Sequence, residues 1–259
     1  MPEMITSAQN PKLKLVRALM GRPRERGEAG AFVAEGIRLV EEAVAAGWPF
    51  RFVLYTGGLN KRGSHLVAEL KSRGIETDEV ASFLLDALSD TGNTQGIIAV
   101  LELAQLPIPI SRDFILIPDQ IRDPGNLGTL LRSATAAGVQ AVFLPPETTD
   151  AFAPKVVRAG MGAHFRMPIY DLTWEEIREA TQGLRIFLAD MDGDSCWETD
   201  LHSPLALIVG GEAEGASLPA RELAGSSISI PMPGHAESLN AAMAGVVLLF
   251  EVVRQRKQG

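Results

Sequence analysis

The chain has 259 residues, of which 46% are hydrophobic and 22% are charged, a globular balance that excludes a disordered chain. Its formal net charge of -8, with a pI of about 5.1, argues against a partner as acidic as nucleic acid when the chain is taken as a whole. The single cysteine, Cys196, excludes an intramolecular disulfide and a multi-thiolate metal site.

The charge is unevenly distributed along the chain. Residues 1–106 contain 12 Lys and Arg against 13 Asp and Glu, whereas residues 107–259 contain 12 against 19. Within the first 26 positions the balance is basic, with six cations against two acids. The six are Lys12, Lys14, Arg17, Arg22, Arg24 and Arg26. Such a cluster is typical either of a solvated helix face or of an electrostatic contact for phosphates.

No segment has the pattern of a signal peptide or a membrane span. The opening sequence MPEMITSAQNPKLK lacks an apolar core. The longest apolar stretch, residues 241–250, is far shorter than the roughly 18–20 residues that a membrane span needs. Together with the single cysteine, this predicts a cytoplasmic protein with no membrane partner.

The first hundred residues alternate between helix and strand patterns. Pro11 opens a helical segment, and two further helices are predicted from Ile37 to before Gly47 and over 65–74. Strands are predicted over 31–36, 51–57, 75–80 and 96–101. The pattern predicts a small α/β domain over 1–106, ending at the Pro107 and Pro109 linker.

The second half, 107–259, repeats the alternation more strongly. Short apolar runs separated by helical stretches predict buried parallel strands with helices on both faces. These runs are 114–119, 141–146, 184–190, 205–212 and 227–232. Ligands on such sheets bind beyond the carboxyl ends of the strands, so we expect the chemistry in the loops there.

The first such loop is DPGNLGTLLRSATAAG, residues 123–138. Asn126 is predicted to cap a helix that Gly138 ends, and the free N–H groups at the helix start suit a phosphate. Arg132 follows six residues after Asn126. The alternative is an ordinary capped helix with a surface arginine.

The second loop is IVGGEAEG, residues 208–215. It lacks the G-x-G-x-x-G spacing, and Glu212 and Glu214 would repel a pyrophosphate, which disfavours a nicotinamide-dependent oxidoreductase. The loop fits a ligand that carries hydroxyl groups or a positive charge. The alternative is a glycine-rich turn with solvated acids.

The third loop lies within residues 228–257, where a strand runs into Pro231 and Pro233. Ser238 is predicted to cap a long helix whose apolar face begins at Leu239 and includes Met243, Val246 and Leu249. Packing in a core or an interface explains most of the apolar residues of this helix. It does not explain the polar residues Glu237, Ser238 and Asn240, which are therefore candidate site residues.

Several catalytic patterns are absent from the sequence. It has no phosphate loop, no H-E-x-x-H and no G-x-S-x-G, and its four histidines have no metal-ligand spacing. The sequence therefore disfavours metal and covalent catalysis, and no metal is predicted.

Taken in order, the three loops resemble the three motifs of the SpoU (TrmH-like) family of RNA ribose methyltransferases. The N-x-G-x-x-x-R motif is matched by Asn126, Gly128 and Arg132, and the G-x-E-x-x-G motif by Gly210, Glu212 and Gly215. The third motif is matched by residues 230–232 and 238–240. Residues 155–168 resemble the family's connecting segment, and residues 1–106 resemble a ribosomal-protein-like RNA-binding domain.

This resemblance implies a fold, a partner and a cofactor. The fold would be a C-terminal parallel-sheet domain with a trefoil knot, preceded by the small α/β domain. The partner would be a second copy of the chain, in a homodimer formed through the knotted domain. The cofactor would be S-adenosylmethionine, which suits the second loop because this methyl donor carries a sulfonium cation and no phosphate.

The resemblance also implies roles for individual residues. The expected cofactor-binding residues are Leu144, Gly210, Ile230, Met232 and Leu239. The expected catalytic residues are Arg132, which would grip the target's phosphate, and Asn126, Glu212, Ser238 and Asn240, which would position it. For RNA binding we expect residues of the basic opening cluster, together with Arg158 of the connecting segment: Lys12, Lys14, Arg22, Arg24, Arg26 and Arg158.

The expected reaction is methyl transfer to a ribose 2′-OH, with 23S ribosomal RNA as the substrate because of the N-terminal domain. One alternative is a transfer-RNA methyltransferase. Another is an RNA-binding or ribosome-assembly factor that keeps the fold without the activity, against which the intact motif residues speak.

Overall fold

The computed structural model describes residues 4–88, 95–211, 215–234 and 238–258. The chain forms two compact units. The first contains the described residues up to Ala104 together with Phe152–Phe165, and the second contains Gln105–Ala151 and the described residues from Arg166 onward. Within these described residues, no helix has both the length and the apolar character to cross a bilayer.

The secondary structure alternates along both units. The described helices are α1 Pro11–Met20, α2 Pro23–Ala29, α3 Ile37–Ala45, α4 Lys61–Ser72, α5 Ser82–Asp86, α6 Pro124–Ala137, α7 Pro154–Gly160, α8 Trp174–Ala180, α9 Leu218–Leu223 and α10 Ala241–Gln258. The described strands are β1 Ala31–Glu35, β2 Phe50–Tyr55, β3 Thr77–Glu79, β4 Ile97–Glu102, β5 Phe114–Asp119, β6 Ala141–Leu144, β7 Ile169–Asp171, β8 Arg185–Ser195, β9 Leu205–Gly210 and β10 Ser226–Ser229.

The first unit is built on a mixed four-stranded sheet in the order β1-β4-β2-β3. Strand β4 is antiparallel to both of its neighbours, and β2 is parallel to β3. The apolar stripe of α1, formed by Leu13, Val16 and Leu19, belongs to one core with Phe52 and Val100 of the sheet. This confirms the predicted small α/β fold.

A segment from the C-terminal half completes the first unit. The ring of Phe32 on β1 lies 5.0 Å from Phe152 and 6.3 Å from Phe165, measured between centroids, and Trp48 lies 5.3 Å from Phe165. Phe32 is fully buried. The compact units therefore differ from a simple division at residue 106, and the functional domain limits 1–106 and 107–259 stay a prediction.

The second unit is built on six parallel strands in the order β10-β8-β9-β5-β6-β7. The central strands β5 and β9 are buried almost throughout, as the continuous apolar runs predicted. The fold class, an α/β protein with a C-terminal parallel sheet, is confirmed. The trefoil knot stays a prediction.

Candidate active site

A cavity of about 660 Å³ opens at the carboxyl edge of the second sheet. Its wall is formed by the middle of β8, the ends of β9 and β10, the chain that follows these two strands and the first turns of α10. Six of the predicted site residues line it: Gly210, Ile230, Met232, Ser238, Leu239 and Asn240. Of the other predicted cofactor residues, Leu144 is buried at the end of β6 and is not part of this wall. Three acidic residues of the second and third loops, Glu212, Glu214 and Glu237, lie outside the described residues.

Glycine is required where the second loop leaves β9. A Cβ on Gly210 would lie 2.7 Å from the amide nitrogen of Ala216, and one on Gly211 would lie 2.6 Å from the carbonyl oxygen of Gln120. Gly211 also forms an isolated bridge with Gly215. The two described ends of the loop are therefore packed backbone against backbone, and Gly210, Gly211 and Gly215 all line the cavity.

Two motif asparagines far apart in sequence meet beside the cavity. Asn240 Nδ2 donates a hydrogen bond to Asn126 Oδ1 at 3.1 Å. Asn240 Oδ1 accepts one from the amide of Met243 at 3.1 Å, so Asn240 caps α10. The start of α10 is thereby tied to the first turn of α6.

Both predicted helix caps were wrong. Asp123, not Asn126, caps α6, because its side chain accepts from the amide of Asn126 at 2.8 Å and Pro124 takes the first helical position. Asn240, not Ser238, caps α10, which begins at Ala241. Asn126 and Ser238 are thus not needed as caps, and Ser238 lies on the cavity wall.

Arg132 lies on an exposed position of α6, six residues after Asn126. Among the residues that the structure describes, its guanidinium makes no hydrogen bond and no ion pair. Most other arginines of this unit are paired, as in Arg122 with Glu147 and Arg256 with Asp113. Arg132 is not part of the cavity wall. Its guanidinium is therefore available to an anion from outside the chain.

The cavity wall contains an ion pair that the sequence reasoning missed. Arg221 Nη1 lies 2.9 Å from Asp190 Oδ2, and Arg221 Nε donates to the carbonyl oxygen of Ala216 at 3.2 Å. Asp190 could have been found, because it stands at the carboxyl end of the predicted strand 184–190. Arg221 has no such signal, since its role depends on where α9 lies.

The chemistry of the wall is compatible with S-adenosylmethionine. Ile230, Met232 and Leu248 would offer apolar surface to a purine, and Asp190, whose Oδ2 is paired with Arg221, would offer a cationic group its other carboxylate oxygen. The methyl donor combines an adenosine with a sulfonium and an ammonium cation. In the described part of the chain, no three His, Cys, Asp or Glu side chains are grouped closely enough to hold a metal ion.

The six predicted RNA-binding residues have different environments. Lys14 and Arg22 are exposed and, within the described ranges, have no side-chain partner. Lys12 is paired with Glu76 and Asp78, Arg24 with Glu28, and Arg158 with Glu35 at 3.6 Å.

Arg26 corrects the prediction for this cluster. It is only 3% exposed, and its Nη1 donates to the carbonyl oxygens of Leu19 at 2.6 Å and Gly21 at 3.1 Å. The guanidinium thus satisfies the carbonyl end of α1, where helical partners are missing. Arg26 is therefore a structural residue and not an exposed RNA contact.

The first unit also contains a cavity of about 660 Å³ that the sequence analysis did not predict. Arg38, Asn60, Arg62 and Gln95 are among the residues that line it. Arg62 is paired with Glu41 through two hydrogen bonds, whereas Arg38 is exposed and has no partner in the described part of the chain.

The fold and the site together define a class of protein. A parallel α/β sheet with a glycine loop, a proline-bounded loop and a cavity of mixed polar and apolar lining at its carboxyl edge is typical of α/β enzymes that bind a nucleotide-like cofactor. Comparison with known families identifies the family within this class. Residues 113–250 match the SpoU rRNA Methylase family, and residues 10–99 match the MRM3-like substrate binding domain. The chain belongs to the SpoU rRNA methylase family.

Similar proteins cover nearly the whole chain. The 23S rRNA (uridine(2479)-2'-O)-methyltransferase of Streptomyces viridochromogenes is 34% identical over 98% of this chain and 93% of its own length. The 23S rRNA (guanosine(2553)-2'-O)-methyltransferase RlmP of Bacillus subtilis is 31% identical over 96% and 99%. The crystal structure of the SpoU methyltransferase AviRb from Streptomyces viridochromogenes with bound AdoMet has a TM-score of 0.85 and 32% identity, and covers 97% of this chain and 100% of AviRb.

These findings confirm the predicted family and the predicted class of enzyme, an S-adenosylmethionine-dependent rRNA 2′-O-methyltransferase. They also confirm S-adenosylmethionine as the methyl donor. The roles of individual residues stay predictions.

Proposed function

We propose that this chain methylates a ribose 2′-OH of the 23S ribosomal RNA in the cytoplasm, using the cavity at the second sheet for the cofactor. Two findings support the proposal. The catalytic and the substrate-binding parts of the chain each match a family model of rRNA methyltransferases, and two relatives that are named as 23S rRNA methyltransferases align with this chain over nearly their whole length. The observation that carries the proposal is the hydrogen bond from Asn240 to Asn126, which joins the first motif to a residue of the third motif on the cavity wall.

The proposed cofactor site uses Gly210, Ile230, Met232 and Leu239, which line the cavity, together with Leu144, which is buried at the end of β6. When bound, S-adenosylmethionine supplies an electrophilic methyl group on its sulfonium. Glu212, Ser238, Asn240 and Asn126 position the nucleotide and Arg132.

Arg132 has the central role in the proposed mechanism. A ribose 2′-OH is a weak nucleophile and must be aligned and lose its proton as its oxygen attacks the methyl carbon. A guanidinium stays protonated throughout the pH range in which proteins work and is therefore a poor base. We therefore assign Arg132 the binding of the target's phosphate and the stabilisation of the developing alkoxide, while the proton passes to the phosphate or to water.

The test compares Arg132→Ala and Arg132→Lys with Arg178→Ala, a control at an exposed arginine of α8 that also lacks a partner among the described residues. Methyl transfer to 23S RNA and S-adenosylmethionine affinity are measured together. We expect Arg132→Ala to reduce kcat by about 100-fold or more with unchanged cofactor affinity, and the control to behave as wild type. Turnover that survives Arg132→Ala refutes the role, and methylation of transfer RNA but not 23S RNA by wild type refutes the substrate. An inactive wild type that still binds RNA supports the assembly-factor alternative.

We also propose that α10 forms part of a homodimer interface. Met243, Val247 and Phe250 follow one another at helical spacing on α10, Leu239 lies just before the helix, and each of the four is between 40% and 49% exposed. Exposed apolar side chains in such a row mark an interaction surface. The opposite side of α10, with Gly245 and Leu249, is buried in the unit's own core. Sedimentation should give a dimer for wild type and a monomer for Phe250→Glu; a monomeric wild type would contradict the proposal.

For RNA we propose the surface that includes Lys14 and Arg22, with contributions from Lys12, Arg24 and Arg158. The double variant Lys14→Ala/Arg22→Ala should weaken RNA binding and lower its salt slope by about 0.7–0.9 for each phosphate that is no longer neutralised, without affecting cofactor affinity. Arg38→Ala is the comparison. If only Arg38→Ala weakens binding, the RNA contacts the cavity of the first unit and the proposed surface is wrong.

A further inference from the structure

Asp119 is a buried carboxylic acid that the proposed mechanism does not use. It ends β5, pairs in register with Gly210 of β9 and has no exposed surface. Its Oδ2 accepts a hydrogen bond of 2.6 Å from the amide of Ser217, 98 residues away in sequence. Its Oδ1 is also buried and accepts no hydrogen bond from the described residues.

Ser217 connects Asp119 to the cavity wall. The hydroxyl of Ser217 caps α9 by accepting from the amide of Ala220. One turn later Arg221 pairs with Asp190 and donates to the carbonyl oxygen of Ala216. Ala216, Arg221 and Asp190 all line the cavity. The position of the Ser217 amide therefore determines the position of one side of the wall.

The environment of Asp119 is poor for stability alone. A buried carboxyl group loses its hydration, and here Ser217 alone among the described residues donates to it, which leaves Oδ1 without a donor. Burial raises the pKa of Asp119, although the hydrogen bonds from Ser217 lower it. An apolar side chain would fill this place without that penalty, so the carboxyl group's contribution is the direction in which it holds Ser217.

We propose that Asp119 is a positioning residue for the cofactor site: its side chain holds the Ser217 amide and thereby fixes the wall from Gly215 to Arg221. The inference rests on the proposed function only in taking this cavity as the cofactor site. Asp119 itself contacts neither cofactor nor RNA in this proposal.

The first test changes the acceptor in the full-length chain. Asp119→Asn keeps an oxygen that can accept from Ser217, and Asp119→Ala removes it. Calorimetry with S-adenosylmethionine should show about tenfold weaker binding for Asp119→Ala and an affinity within about threefold of wild type for Asp119→Asn. The Tm of Asp119→Ala should stay close to that of wild type, because removal of the buried carboxyl group offsets the loss of its hydrogen bond with the Ser217 amide. A lower Tm with unchanged affinity assigns Asp119 to stability alone and overturns the inference.

The second test changes the donor, and it remains informative if Asp119→Ala does not fold. Ser217→Pro removes the amide hydrogen at a φ of -63° that proline adopts, and Ser217→Ala removes the helix-capping hydroxyl but keeps the amide. We expect Ser217→Pro to bind the cofactor as weakly as Asp119→Ala, Ser217→Ala to bind as wild type does, and the double variant Asp119→Ala/Ser217→Pro to be no weaker than either single variant. Equal affinities of the proline and alanine variants overturn the inference. Absence of binding by wild type instead overturns the proposed cofactor site, and the inference with it.

Discussion

Replacing Gly210 by alanine adds one methyl group at the point where the second loop leaves β9. The new Cβ would lie 2.7 Å from the amide nitrogen of Ala216 and 2.9 Å from the carbonyl carbon of Gly215. Ordinary contact begins at 3.4 Å, so these backbone atoms would have to move. Both residues line the cavity, which couples the strain to the proposed cofactor site.

The size of the effect follows from the cost of overpacking, about 1–3 kcal/mol for an added methyl group in a well-packed place. If the loop moves to release the strain, the cost appears in cofactor affinity, as about five- to 150-fold weaker binding. If the loop stays in place, the same cost appears in the free energy of unfolding. We therefore expect the two losses together to amount to about 1–3 kcal/mol.

The assay measures S-adenosylmethionine affinity by calorimetry and unfolding by urea for Gly210→Ala. The control is Gly27→Ala in α2, where no atom lies within 4 Å of the new Cβ. This helical glycine should gain about 0.5–1 kcal/mol of stability on becoming alanine, with unchanged cofactor affinity. If the losses in binding free energy and in free energy of unfolding of Gly210→Ala together stay below about 0.5 kcal/mol, the added methyl group is not overpacked and the reasoning is refuted.

Two further predictions concern α10. Gly245→Ala should destabilise the protein in urea unfolding, because the new Cβ would lie 2.5 Å from Leu130 Cδ2 and 3.3 Å from Val209 Cγ2. At such a short distance we expect the overpacking cost, about 1–3 kcal/mol, to exceed the roughly 1 kcal/mol gained in helix propensity. A gain in stability like that of Gly27→Ala would contradict this prediction. Glu251→Gln should destabilise at neutral pH, because hydrogen bonds from Arg254 and Gln255 lower the pKa of Glu251. Because the pKa of Glu251 is lowered in the folded state, its ionised form stabilises the protein above the ordinary carboxyl pKa of about 4.3, and this stabilisation is lost as the pH falls through the pKa of the folded state. The difference in Tm between wild type and Glu251→Gln should therefore shrink in acid. A difference in Tm that does not change with pH would contradict this prediction.

The strands of the second sheet were predictable because buried parallel strands are continuous apolar runs. The predicted run 114–119 is β5 as observed, and 205–212 differs from β9 only at its end. Strand β7 was missed, since three residues, Ile169–Asp171, are too few to show a periodic pattern.

The capping residue predicted for α6 was wrong, although the sequence itself contains the residue that decides between the two candidates. Asp123 and Asn126 are both good capping residues, and Pro124 decides between them because proline favours the first helical position. Burial of Arg26 had no such signal, since it depends on the turn that brings α2 back to the carbonyl end of α1.

The meeting of Asn126 and Asn240 could not be derived from the residues' own propensities, because they are 114 positions apart. The resemblance of the motifs predicted that they belong to one site. The contribution of Asp119, Asp190 and Arg221 depends on packing between β5, β8 and α9, so it became visible only in the structure.

The passage of Phe152–Phe165 into the first unit affects how the protein can be synthesised. During translation the N-terminal sheet emerges well before these residues, with residues 105–151 between them. Phe32 and Trp48 therefore lack Phe152 and Phe165 as neighbours until the ribosome has reached that point. The nascent N-terminal unit must keep an incomplete apolar surface through this interval, and its last step of folding has to wait until Phe152–Phe165 has been synthesised.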